Sequence, residues 1–121
     1  MIGLGIDAVD IARFRALLER RPSVRHRLFT PLELEALASR SDPVPGLAAR
    51  FAAKEAAMKA LAAGIGGIDF ADVEVLAGPS GEPRLSVSGR AAARALGLGV
   101  SGWHVSISHT EALATAVVVA G

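Results

Sequence analysis

Hydrophobic and polar positions follow two periods along this chain. At the start, Ile2, Leu4 and Ile6 alternate with Gly3, Gly5 and Asp7, the period-two pattern of a strand. From Asp10, which can cap a helix, Ile11, Phe14, Leu17 and Leu18 gather on one helical face; Arg13 and Arg20 lie off it and Pro22 ends it. Thr30-Pro31-Leu32-Glu33 predicts a second helix start, with Thr30 as cap, Pro31 in the first turn and Glu33 completing a capping box. That helix runs to about Ser39, and Ser41 to Gly46 reads as a loop by composition. An alanine-rich helix follows, from about Leu47 to Ala63, and stops at Gly64-Ile65-Gly66-Gly67. Asp72–Leu76 and Arg84–Ser88 alternate as strands around the turn Gly78-Pro79-Ser80-Gly81. Ala91–Leu96 reads as a short helix ending near Gly97. Trp103–Ser108 is a strand, and after a turn at His109-Thr110-Glu111 the final strand is Ala112–Ala120. Hairpins and segregated helices, without internal repeat or linker, predict an α+β fold: one compact domain over residues 1–121, with an antiparallel sheet and a long central helix.

The long helix is the anomaly. On a wheel of 3.6 residues per turn, Leu47, Phe51, Met58 and Leu61 form a large apolar stripe, and Ala49, Ala52, Ala53, Ala56, Ala60 and Ala63 fill most of the opposite side. So broad an alanine surface admits close neighbours, so the helix is expected to be covered on two sides. Yet Glu55 and Lys59 share a border of the stripe, Lys54 lies within it and Arg50 flanks it. A Glu-to-Lys pair one turn apart on an exposed edge would stabilise a helix by only about 0.2–0.5 kcal/mol. Three cations and a carboxylate on a helix otherwise nearly devoid of polar residues also suit an anionic ligand with a divalent cation.

Composition narrows the alternatives. The chain is 51% hydrophobic and 21% charged, the balance of a folded protein. A net charge of +1, no Tyr and one Trp argue against nucleic-acid binding. No cysteine is present, which excludes disulfide and thiol chemistry. No segment reads as a membrane span or a targeting signal, so the expected location is the cytoplasm. Charge is uneven, however: Arg13, Arg15, Arg20, Arg21, Arg25 and Arg27 form a basic cluster.

Two further features carry candidate chemistry. Asp7 interrupts an apolar strand, either as a strand-end residue or helix-capping group, or as a ligand. In WHVSISH, Trp103, Val105 and Ile107 point to one face, while His104, Ser106 and Ser108 point to the other. That polar row is either a solvated face or a set of phosphate and hydroxyl contacts.

Taken together, GIDAVDIARF near the start, RFAAKEAAMKAL in the middle and WHVSISHT near the end resemble the holo-acyl-carrier-protein synthase family, small 4′-phosphopantetheinyl transferases. The resemblance extends over essentially the whole chain, and F-x-x-K-E-A-x-x-K is its most specific part. It implies the 4′-phosphopantetheinyl transferase fold and transfer of the phosphopantetheine arm of coenzyme A to a serine of an acyl carrier protein, in support of fatty acid biosynthesis. It further implies Mg²⁺ held by Asp7 and Glu55, and Lys59 on the pyrophosphate. Arg50, Lys54, His104 and Ser106 are implied to help hold coenzyme A. A homotrimer with active sites between subunits is also implied. A metal-bound water, Glu55 or His109 could take the serine proton; His109 is followed by Thr110, so no adjacent acid orients it. Acyl carrier proteins are acidic, and Arg13 and Arg20, free of the inward face, are the expected docking residues. The competing readings are a non-catalytic coenzyme A or nucleotide-binding module, which would not need both acids, and a structural oligomer whose charged helix makes only intersubunit ion pairs.

Overall fold

The computed structural model describes residues 1–63 and 67–121. In chain order the elements are β1 (Gly3–Asp10), α1 (Ile11–Arg20), α2 (Val24–Leu28), α3 (Pro31–Leu37), α4 (Val44–Ala60), a 3-10 turn at Phe70–Asp72, β2 (Val73–Ala77), β3 (Pro83–Val87), α5 (Gly89–Leu98), β4 (Trp103–His109) and β5 (Leu113–Ala120). Strands β1, β5 and β4 form an antiparallel sheet in that order, and β2 and β3 form a separate hairpin. This is the α+β arrangement that the pattern predicts.

Local chemistry accounts for the boundaries. Asp10 caps α1 by accepting from the Arg13 amide at 3.0 Å. The capping box at Thr30 and Glu33 is complete. α4 begins earlier than its apolar stripe, at Val44: Pro43 and Pro45 stand where a missing N–H costs nothing, so part of the segment read as a loop supplies the first helical turn. α2 escapes the pattern because it is five residues long and only Leu28 is buried. α5 runs past Gly97 to Leu98 and is closed by Gly99 in the left-handed conformation, φ 84°. Of the glycine stop read at 64–67, residues 64–66 lie outside the described residues.

α4 is the centre of the fold, packed against β1, β5 and β4 on one side and against α1, α3 and β2 elsewhere. Its cover on more than one side matches the expectation from its alanines: Ala48, Ala52, Ala53, Ala56 and Ala57 have no exposed surface. β1 approaches so closely that a Cβ built on Gly3 would lie 1.8 Å from the Ala60 carbonyl oxygen, and one on Gly5 would lie 1.7 Å from that of Ala56. Only glycine permits that approach. All four phenylalanines join one cluster, with Phe51 stacked between Phe14 and Phe70 and Phe29 edge-on to Phe14. At the far end, the Arg94 guanidinium of α5 donates to the carbonyls of Leu61 and Ala62, holding the last turn of α4.

Candidate active site

The close approach of β1 to α4 sets two carboxylates beside one groove. Asp7, Val9 and Asp10 of β1 line it, with Arg13, Leu17 and Arg20 of α1 and Phe51 and Glu55 of α4. Odd-numbered residues of β1 face α4, so Asp7 follows directly from the register that buries Gly5 and Val9. Lys59, one turn beyond Glu55, donates to the Ile6 carbonyl at 2.9 Å and to Asp7 Oδ1 at 3.1 Å. Its side chain remains half exposed.

Burial pushes the Glu55 carboxyl above its ordinary value, and the charge of Asp7 adds to the shift against the opposing pull of Lys59. Burial and the neighbouring Asp7 both disfavour the charged form of Glu55, a strain that a cation would relieve. No cluster of three or more His, Cys, Asp or Glu able to hold a metal occurs among the described residues. Two acids alone fit Mg²⁺, which usually takes one or two carboxylates and fills its remaining positions with water and substrate phosphates. Asp7 and Glu55 would hold it.

A second groove opens on the opposite flank of α4. Arg40, Gly46, Ala49 and Arg50 line it on one side, and β2, Gly81, Pro83, Ile107 and His109 on the other. Arg50 donates to the Gly46 carbonyl at 3.4 Å, while its buried Nε has no partner among the described residues. Burial lowers the affinity of this guanidinium for its proton. A buried, incompletely satisfied guanidinium beside Arg40 and an imidazole is a place for an anion. His109 closes β4 rather than opening a turn. Arg40 escapes sequence reading because nothing periodic connects it with Arg50.

His104 and Ser106 stand elsewhere. They are exposed on the face of the sheet away from α4, opposite Val119 and Val117. Within one chain the sheet therefore separates them from Asp7 and Glu55. Lys54 also departs from the role expected for it. It is wholly buried, with Nζ 2.6 Å from Glu33 Oε1 and 2.9 Å from the Phe70 carbonyl oxygen. Burial lowers its proton affinity against the pull of Glu33. An ammonium held in this way lines neither groove and sits in an internal ion pair. Glu33, the missed partner, looks in sequence like an ordinary capping glutamate. The signal for it was Lys54 itself, since a lysine inside an apolar stripe needs a buried carboxylate.

The chain matches the 4′-phosphopantetheinyl transferase superfamily over residues 3–118. It is 53% identical to a holo-[acyl-carrier-protein] synthase of Streptomyces griseus, over 99% of this chain and 98% of that one. It resembles the crystal structure of the Neisseria meningitidis holo-[acyl-carrier-protein] synthase with a TM-score of 0.91 and 32% identity, covering 100% of this chain and 98% of that one. The Helicobacter pylori enzyme, solved in complex with coenzyme A, superposes with a TM-score of 0.83 at 31% identity, over 98% and 99% of the two chains. The chain belongs to the 4′-phosphopantetheinyl transferase superfamily. Within it, its relatives are the holo-[acyl-carrier-protein] synthases, and it is a transferase of that kind.

Proposed function

We propose that this protein moves the 4′-phosphopantetheine arm of coenzyme A to a serine of an apo acyl carrier protein, releasing adenosine 3′,5′-bisphosphate, as a Mg²⁺-dependent step supporting fatty acid biosynthesis in the cytoplasm. The observation that carries the reading is the juxtaposition of Asp7 and Glu55 with Lys59 at one end of the groove along α1. A binding module would need cations for phosphate but not two mutually repelling acids. When bound, Mg²⁺ supplies neutralisation of pyrophosphate charge. Lys59 adds a point charge there, on a side chain exposed enough to swing from Asp7 to a phosphate. Arg50, Arg40 and His109 offer the second groove to another anionic group of coenzyme A. Glu55, half-buried in the groove beside Asp7, is placed to accept the serine proton. The direct test is release of adenosine 3′,5′-bisphosphate when coenzyme A, Mg²⁺ and apo carrier are all present. Release with a carrier whose serine is replaced by alanine would contradict it.

The same reading makes the enzyme a homotrimer with sites between subunits. It is supported by the open sheet face, where Leu4 is 56% and Ile6 64% exposed next to Val117, with His104 and Ser106 alongside. Covering that face with a neighbouring copy would bury the apolar side chains and let His104 and Ser106 serve the neighbour's site. Ile6→Asp is expected to convert a trimer into monomers by light scattering, with loss of transfer. A wild-type chain that runs as a monomer at assay concentration would contradict this.

On this reading the carrier docks against α1. Arg13 and Arg20 line the groove that holds both acids. Arg13→Glu and Arg20→Glu are each expected to raise the carrier KM about tenfold at low salt while the affinity for coenzyme A stays unchanged, since an interfacial charge reversal costs on the order of 1–2 kcal/mol. Added salt should weaken the wild-type complex in the same sense. Unchanged carrier KM in both variants would place docking elsewhere.

A further inference from the structure

The alanine face that lets α4 lie close to the sheet also leaves the helix without interlocking side chains there. Ala49, Ala52, Ala53, Ala56 and Ala60 fix how near the helix lies, but they hold its rotation weakly. Besides the half-exposed Lys59, which donates to Ile6 and Asp7, directional contacts come from another quarter. Lys54 Nζ donates to Glu33 Oε1 at 2.6 Å and to the Phe70 carbonyl at 2.9 Å. Glu33 in turn accepts from the Thr30 amide through Oε1 and from the Val75 amide through Oε2, both at 2.9 Å. One buried pair thus ties α4 to the start of α3, to the turn before β2 and to β2 itself.

We infer that Lys54 and Glu33 are positioning residues for the transfer reaction: their ion pair sets the rotation of α4 and thereby the place of the Glu55 carboxylate beside Asp7. The inference rests on Asp7 and Glu55 being the reaction centre. Glu55 follows Lys54 directly, about 100° round the helix and about 1.5 Å along it. A carboxylate about 6 Å from a helix axis moves about 1 Å for each 10° of rotation, and a misplacement of that size can cost about 10²-fold in rate. Stability alone does not account for the pair, because apolar side chains of similar volume often replace a buried ion pair without loss. Nor can Lys54 hold a phosphate while it is sealed from solvent at 0% exposure.

Three variants test this: Lys54→Met, Glu33→Gln, and the two combined, which removes both buried charges and so avoids leaving one unpaired. Folding is followed by circular dichroism, Mn²⁺ binding without coenzyme A by electron paramagnetic resonance, coenzyme A affinity by calorimetry, and kcat by transfer to the carrier. All three variants should lower Mn²⁺ affinity and kcat by about 10- to 100-fold, the range for groups that orient metal ligands, with coenzyme A affinity within about twofold of the parent. Weakened coenzyme A binding in Lys54→Met alone would overturn the inference in favour of a direct ligand. Lower melting temperatures with unchanged kcat and Mn²⁺ affinity, or a double variant that does not fold, would overturn it in favour of a purely structural pair. Equal Mn²⁺ affinity in the parent and in Asp7→Ala would instead remove the reaction centre itself.

Discussion

Asp7→Ala and Glu55→Ala should each lower transfer by about 10³-fold, the effect of losing about 4 kcal/mol of charge stabilisation where a metal meets the pyrophosphate. Both proteins should remain folded. Among the described residues, Asp7 is paired only with the half-exposed Lys59, and Glu55 makes no hydrogen bond that ties one element to another. Glu55→Gln should be nearly as damaging, because a neutral amide is a poor replacement for a charged ligand to a hard cation. The variants differ in what they leave behind. Without Asp7, Lys59 loses one of its two partners and keeps the Ile6 carbonyl. Without Glu55, Asp7 keeps its lysine. Single-turnover rates at saturating coenzyme A with Mg²⁺ varied are the check. A variant within about threefold of the parent at limiting Mg²⁺ would contradict the assignment of that acid, given that a factor of ten is 1.36 kcal/mol.

The second large effect belongs to the glycines of β1. Gly5→Ala places a methyl group 1.7 Å from the Ala56 carbonyl oxygen and 2.7 Å from its carbonyl carbon. Both are helix backbone and cannot rotate aside, so β1 and α4 must separate. The expected cost is about 3 kcal/mol or more, a fall in melting temperature on the order of 10 °C. The loss of function should exceed what the unfolded fraction explains, because the same two elements carry Asp7 and Glu55. Differential scanning calorimetry, paired with kcat at a temperature where the variant is fully folded, separates the two effects. Melting within about 2 °C of the parent would mean that strand and helix are not in such contact.

Much of this was legible in the chain because period, capping and turn chemistry agree at most elements. The alternation around Ile2, Leu4 and Ile6 gives β1 but not its facing: those three side chains are exposed, and Gly3, Gly5 and Asp7 turn towards α4. The Thr30 capping box fixes the start of α3. The alanines of α4 announce a close neighbour, and glycines three and five supply it. What was not legible depends on three-dimensional neighbours. The wheel sets Lys54 inside the apolar stripe and Lys59 on its border, but not their partners: one is sealed against Glu33 and the other lies open beside Asp7. The difference arises from α3 and the Phe70 turn, which no local pattern connects with α4. Strand alternation separated the His104 row from the Trp103 row, but only the sheet order places His104 and Ser106 on the side away from both acids. Arg40 and His109 meet across a groove from elements far apart in sequence.

Group transfer to the carrier is read directly by intact-mass spectrometry of the acceptor. An apo acyl carrier protein incubated with this enzyme, coenzyme A and Mg²⁺ should gain the mass of one phosphopantetheine, located on its serine. The gain should be absent when Mg²⁺ is chelated or when Glu55→Ala replaces the parent enzyme. A carrier whose mass is unchanged while coenzyme A binds the protein normally would contradict the account and leave a binding module in its place.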